Sequence, residues 1–236
     1  MLSFTEENYL KALLKVVGEN KTKGIGTNFL ASHLGIKPAS ANEMLKKLKE
    51  KELINNEKYG KITLTALGKK HALEIVRKHR LWETFLYQKL SFSWDEVHEV
   101  AEQLEHIHSP KLIDKLDEFL GFPEFDPHGD PIPNTKGELK VHFKQTLSEI
   151  AVGESCKVAS VADNSVAFLK YLDNLGMQIN TKIKVVSKQE FDGMLEIEVE
   201  KKRIFVTPKL AESLLVTCNT CTIGKVCKKQ ICQEVY

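Results

Sequence analysis

The chain has 236 residues, 42% of them hydrophobic and 28% charged, an ordinary globular composition with room for two or three small domains. Apolar stretches run only a few residues, and Glu6 and Glu7 open the chain with no basic run before an apolar core, so the sequence offers neither a membrane span nor a signal peptide. Net charge is +2, but residues 1–64 hold 11 Lys and no Arg against 7 Glu and no Asp, a basic third compatible with a polyanion partner on a near-neutral body. The expected location is the cytoplasm.

In chain order, Tyr9, Leu10, Leu13, Leu14 and Val17 recur at helical spacing, with Thr5 as N-cap and Glu6 and Glu7 in the first turn. A Gly-containing loop follows, then a short helix from Thr27 stopped by Gly35. Pro38 stands at the first position of the next helix, which runs to about Glu52 and buries Ala41, Met44, Leu45 and Leu48. Helix, tight glycine turn and second helix make a helix-turn-helix pattern. Leu53-Ile54 and Ile62 to Leu64 flank a polar stretch containing Gly60 and predict a β-hairpin wing. This is a winged-helix arrangement, in which the second motif helix enters the DNA major groove; a winged helix used only for protein contacts is the competing reading.

A long helix is predicted from Thr65 through Leu90, with Leu67, Leu73, Val76, Trp82, Phe85 and Leu86 on one broad side. Two more follow, Trp94 to Ile107 and Pro110 to Leu120, the latter ended by Gly121. Such an apolar helical unit beside a DNA-binding head suits a dimer interface. After a Pro/Gly linker over 122–137, short alternating strands are predicted at Cys156–Val161, Lys182–Val186, Leu195–Val199 and Arg203–Val206, a small β-barrel ending near Val216. The expected fold is mainly α with a small β part: a winged helix over 1–64, a helical metal-binding and dimerisation domain over 65–140, an SH3-like barrel over 141–216, and a Cys-containing tail over 217–236.

On a helix, His98, Glu102, Glu105 and His106 fall at i, i+4, i+7 and i+8 on one stripe, opposite Val97, Val100, Ala101, Leu104 and Ile107. Imidazole and carboxylate one turn apart are what a helix supplies to grip a divalent cation. His79 and Glu83 form a second such pair on the preceding helix, and Asp126-Pro127-His128 adds ligand types in the linker. A solvated acidic face with incidental histidines is the alternative. No Ser, Thr or Cys stands at catalytic spacing to these histidines and no phosphate-binding glycine loop is present, so the chain is read as no enzyme and as taking no small organic substrate. A metal-dependent hydrolase built on the His/Glu cluster is the rival from another class.

The blocks TEENYLKAL at 5–13, the helix-turn-helix at 27–51, RKHRLWETFL at 77–86, VHEVAEQLEHIHS at 97–109 and GFPEFDPHGDPIP at 121–133 resemble the diphtheria-toxin-repressor family of metal-dependent transcriptional repressors, within it the manganese-transport-regulator branch. The resemblance covers nearly all of residues 1–216. It implies a homodimer that binds double-stranded operator DNA when metal is bound, with an SH3-like C-terminal domain similar to ferrous-transport A. It also implies a primary site on Asn8, Glu102, Glu105 and His106, and a second site on His79, Glu83 and His98 with Asp126, His128 and Asp163 as further ligands. Glu102 stands where iron-responsive members have cysteine, and a donor set without thiolate or thioether favours Mn2+, with Fe2+ as competitor. Asn8 replaces the Asp or Met of relatives, and Lys11 stands where manganese regulators of the binuclear type place a Glu.

The same resemblance implies DNA contacts at Lys37, Pro38, Ala39, Ser40, Asn42 and Glu43, with Lys46 and Lys47 beyond. Ser40 and the lysines reach phosphate and Asn42 and Glu43 reach base edges, although Lys46, Lys47, Lys49 and Lys51 equally fit a solvated face. Cys218, Cys221, Cys227 and Cys232 lie outside the resemblance and are candidate zinc or redox ligands, or a reduced tail without a ligand. Cys156 alone in the body makes no disulfide framework.

Overall fold

The computed structural model describes residues 2–19, 24–56, 61–140 and 144–218. Helix α1 (Phe4–Glu19) starts one residue before the predicted cap. Ser3 and Glu6 exchange side-chain-to-backbone hydrogen bonds of 2.8 and 3.3 Å across the first turn. Tyr9, Leu10, Leu13 and Leu14 are buried as their spacing requires, joined by Val16. They pack on α2 (Thr27–His33) and α3 (Pro38–Glu50), which meet at Gly35, whose φ of +65° suits the residue without a side chain. Leu30, Leu45 and Leu48 complete this core, and Ala41 is buried as well. The wing is an antiparallel pair, β1 (Ile54–Asn56) and β2 (Ile62–Leu64); its tip, with Gly60, lies outside the described residues.

Helix α4 (Ala66–Leu90) joins two cores. Thr65 caps it by accepting from the Gly68 backbone N–H at 3.0 Å. Gly68 lets the helix lean on the wing: a Cβ there would lie 1.9 Å from the Leu53 carbonyl oxygen. Ala72, Leu73 and Ile75 belong to the first core, whereas Leu81, Trp82 and Leu86 pack with α5 (Val97–Leu104) and α6 (Pro110–Phe119) in a second. Leu67, expected on the buried side, is 46% exposed because it faces away from both partners. Helix α5 is shorter than the pattern suggests, so Glu105 caps it and His106 stands just beyond.

The C-terminal region is a six-stranded antiparallel sheet in the order β3-β8-β4-β5-β6-β7. These strands are β3 (Gln145–Thr146), β4 (Ser155–Val161), β5 (Lys182–Lys188), β6 (Leu195–Val199), β7 (Lys202–Val206) and β8 (Leu214–Cys218). Register shifts at Val158/Ser160 and Val185/Ser187 bend it around its core, which α7 (Val166–Asn174) and α8 (Pro208–Ser213) close. Cys218, expected at the start of the tail, ends β8 opposite Cys156; Cys221, Cys227 and Cys232 lie outside the described residues. Trp94, from the turn before α5, joins the sheet's core and donates to Asp173 at 2.9 Å, which ties the helical region to the sheet. No described helix is long and apolar enough to cross a membrane.

Candidate functional site

His79 and Glu83 sit one turn apart on α4, buried against α5, and His98 faces them from the first turn of α5. His79 Nε2, His98 Nδ1 and Glu83 Oε1 form a triangle with sides of 3.0, 3.1 and 3.2 Å. Contacts of that length also suit neighbouring ligand atoms around a metal ion with bonds of about 2.1 Å. His79 is held in place from behind, because its Nδ1 donates to Glu105 at 2.6 Å. A carboxylate on the far nitrogen is the usual device for orienting a ligating imidazole.

The linker turn brings in two more groups. Asp126 Oδ1 accepts from the backbone N–H groups of His128 (2.8 Å) and Asp130 (2.9 Å), and Gly129, at a φ of +81°, packs so closely on the sheet that a Cβ would lie 1.9 Å from the Ala159 carbonyl oxygen. His128 Nε2 donates to the Trp94 carbonyl at 2.7 Å. Its Nδ1 is buried without a hydrogen-bond partner, 3.8 Å from Glu83 Oε2. A buried orphan nitrogen aimed at a buried carboxylate fits a cation between them. Among the described residues, three sets have ligand atoms all within 4.8 Å of one another: His79, Glu83 and His98; Glu83, Asp126 and His128; and His79, Glu102 and Glu105.

The electrostatics match a cation site. Burial opposes charge on His79, yet Glu83 and the Glu105 hydrogen bond outweigh it and hold its pKa at about 9. Burial likewise opposes charge on His128, and Glu83 and Asp126 raise it to about 9. Glu83 stays ionised despite burial, held well below the carboxylate range by His79, His128 and His98. Asp126 goes the other way, to about 7, through burial first and then repulsion from Asp130 and Glu83. A cavity of about 330 Å³ reaches the cluster, between Asn8 and Lys11 of α1, His98 and Glu102 of α5, and Asn164 in the loop between β4 and α7.

The expected primary set is divided. Lys11 of α1 donates to Glu102 Oε1 at 2.6 Å and to both Glu105 oxygens at 2.7 Å. His106 Nδ1 donates instead to Glu7 at 2.6 Å, with Phe4 stacked on its ring at 4.6 Å. Asn8 Oδ1 is buried and unpartnered on its own. Asp163 joins none of the three sets; its carboxylate accepts from the Ser165 backbone N–H at 2.8 Å, ahead of α7. Sequence reasoning missed Glu7 as a partner of His106 and Lys11 as a partner of Glu105. The signal was there, since Glu7 and Lys11 are i and i+4 on α1, on the face that carries Asn8.

On α3, Pro38, Ala39, Ser40, Asn42, Glu43, Lys46 and Lys47 are all exposed, as is Lys37 at its N-cap. Lys49 and Lys51 have internal partners, the Asn56 carbonyl at 2.7 Å and Glu6 at 2.7 Å.

Three family models match in succession: the iron dependent repressor N-terminal DNA binding domain over residues 1–62, the iron dependent repressor metal binding and dimerisation domain over 65–134, and the FeoA domain over 145–218. A diphtheria toxin repressor of Corynebacterium jeikeium is 29% identical over 210 residues, which cover 79% of this chain and 86% of that protein. Probable metal transport system membrane proteins of Chlamydia trachomatis and Chlamydia pneumoniae are 42% and 47% identical over 71 and 76 residues, or 30% and 32% of this chain; those stretches span only 16% and 17% of their own length. Among solved structures, a manganese-dependent transcriptional repressor in complex with manganese superposes with a TM-score of 0.77 at 32% identity, covering 90% of this chain and 99% of that one. ScaR with bound Cd2+ gives 0.71 at 33% identity, with the same coverage. The chain thus carries a DNA-binding domain, a helical dimerisation domain and a C-terminal FeoA (SH3-like) domain.

Proposed function

Because the chain belongs to the iron-dependent repressor family of metal-dependent transcriptional repressors, which are not enzymes, we propose that it is a manganese-responsive repressor whose homodimer binds operator DNA when Mn2+ occupies the His79–Glu83–His98 centre. Asp126 and His128 serve as ligands from the linker side. The observation that carries this reading is the 3.0–3.2 Å triangle of His79, His98 and Glu83, backed by the orphaned Nδ1 of His128. Imidazole and carboxylate donors without thiolate or thioether favour Mn2+ over softer ions, with Fe2+ as the competitor.

A divalent cation supplies the positive charge that the cluster of Glu83, Asp126 and Asp130 calls for. The chain's residues do the rest. Glu105 fixes the His79 ring, the Trp94 carbonyl fixes His128, and Arg80 neutralises Asp126 and Asp130 from 3.6 and 3.5 Å. The cluster therefore joins α4 and α5 to the linker that docks on the sheet. The exposed face of α3 supplies DNA contacts: Ser40, Lys46 and Lys47 to phosphates, Asn42 and Glu43 to base edges. Exposed Leu90, Leu112, Phe119 and Phe122 on and beside α4 and α6 supply apolar surface for the two-fold partner.

Fluorescence anisotropy of palindromic DNA, selected with the Mn2+-loaded protein, tests the reading in Mn2+, Fe2+, Zn2+ and EDTA. Mn2+ is expected to tighten binding and EDTA to reverse it. Affinity indifferent to every metal would refute metal control, and a response to Fe2+ alone would refute the manganese assignment.

A further inference from the structure

We infer that Lys11 is the resident cation of the His79–Glu102–Glu105 triad, so that this triad takes no metal from solution and α1 stays clamped to α5 whether or not metal is bound elsewhere. The inference rests on the reading of the His79–Glu83–His98 centre as the metal site, and separates a second set of metal-competent side chains from it. The triad has the residue types and the closeness of a cation site, its ligand atoms all lying within 4.8 Å of one another. The Lys11 ammonium is already there. It approaches three carboxylate oxygens, Glu102 Oε1 at 2.6 Å and Glu105 Oε1 and Oε2 at 2.7 Å each.

Glu105 is fully buried, and a buried carboxylate requires a countercharge. Its oxygens are engaged by Lys11 and by His79 Nδ1 together. Glu102, its neighbour one turn earlier, is partly exposed and shares the same ammonium. A divalent ion entering between these carboxylates would meet an ammonium within contact distance, so one cation excludes the other. His79 serves both triads with different nitrogens: Nδ1 toward Glu105, and Nε2 toward Glu83 and His98. Its orientation is thus fixed by a carboxylate that Lys11 holds from the other side.

The consequence is structural. Lys11 stands on α1, which is in the core of the DNA-binding domain, and Glu102 and Glu105 stand on and at the end of α5. A second tie runs parallel, from Glu7 of α1 to His106. Because the ammonium is covalently part of the chain, this link does not exchange with the metal pool, and metal acts through the neighbouring centre alone.

Equilibrium titration of the full chain with Mn2+, read from the electron paramagnetic resonance signal of free Mn2+, counts the ions bound. Lys11→Met is expected to bind one Mn2+ per chain more than wild type, and the double variant Lys11→Met/Glu102→Gln to lose that extra ion. Glu102→Gln alone is expected to keep the wild-type count. No gain in Lys11→Met, or a loss of one ion in Glu102→Gln alone, overturns the inference. Should Lys11→Met not fold, the Glu102→Gln count decides on its own. A wild type that binds no Mn2+ while Lys11→Met binds one would sink the reading of the neighbouring centre and leave this inference standing.

Discussion

His79 is the residue on which the account turns, since one ring faces two clusters. Its Nδ1 is oriented by Glu105, so Glu105→Gln is expected to lower Mn2+ affinity roughly 10–100-fold although it contributes no ligand to the neighbouring centre, measurable by titration calorimetry. Protonation gives a second prediction. His79 and His128 have pKa values of about 9 in the folded protein against an ordinary 6.5. A group whose pKa rises on folding stabilises fully below its unfolded value and loses that contribution as pH climbs through the folded one. The melting temperature of the metal-free protein in EDTA should therefore fall between pH 6.5 and about 9, with Asp126, raised to about 7, adding a loss of the same sign at the acid end. Because a ligating imidazole must give up its proton, Mn2+ affinity should rise over the same interval. Glu83→Gln removes the carboxylate that raises both histidines, so its melting temperature should decline less with pH; an unchanged slope would remove Glu83 from this role.

At the scale of elements, α3 and the linker turn carry separate predictions. Lys46→Ala and Lys47→Ala are each expected to weaken DNA binding uniformly across sequences and to reduce the salt slope by about 1, whereas Asn42→Ala should cost about 1–3 kcal/mol and relax preference at one base pair. Gly129→Ala is expected to destabilise the chain by about 2 kcal/mol or more, because φ is +81° and the added Cβ would meet the Ala159 carbonyl; thermal unfolding checks it. Elements with strong punctuation were legible beforehand: Pro38 opening α3, Gly35 stopping the helix before it, and a long helix starting at Thr65. The two sheet strands that went unread, β3 and β8, have two and five residues and pair only across the whole domain, through contacts that no local period encodes. Leu67 misled for another reason, lying out of phase with the buried residues Gly68, Ala72, Ile75 and His79.

Across the whole molecule, the residue types of the proposed metal site were readable, but their grouping was not. Helical spacing put Glu102, Glu105 and His106 on one stripe; Glu102 and Glu105 stay together on the Lys11 ammonium, whereas His106, past the end of α5 at Leu104, lies 3.9 Å from Glu105 and donates to Glu7 of α1. Likewise Asp126 and His128 reach Glu83 only because Gly129 and Trp94 dock the linker between helices and sheet. Such meetings depend on how three domains pack. The same packing connects the proposed metal centre to the DNA-binding head, whose first helix lines the cavity that reaches it. Linked equilibria of this kind are reciprocal, and couplings of 5–150-fold are typical. The most direct test is therefore the Mn2+ affinity of the dimer measured with and without saturating palindromic DNA. DNA is expected to tighten Mn2+ binding by the same factor by which Mn2+ tightens DNA binding, with Glu83→Gln abolishing both; a Mn2+ affinity indifferent to DNA would contradict this coupling.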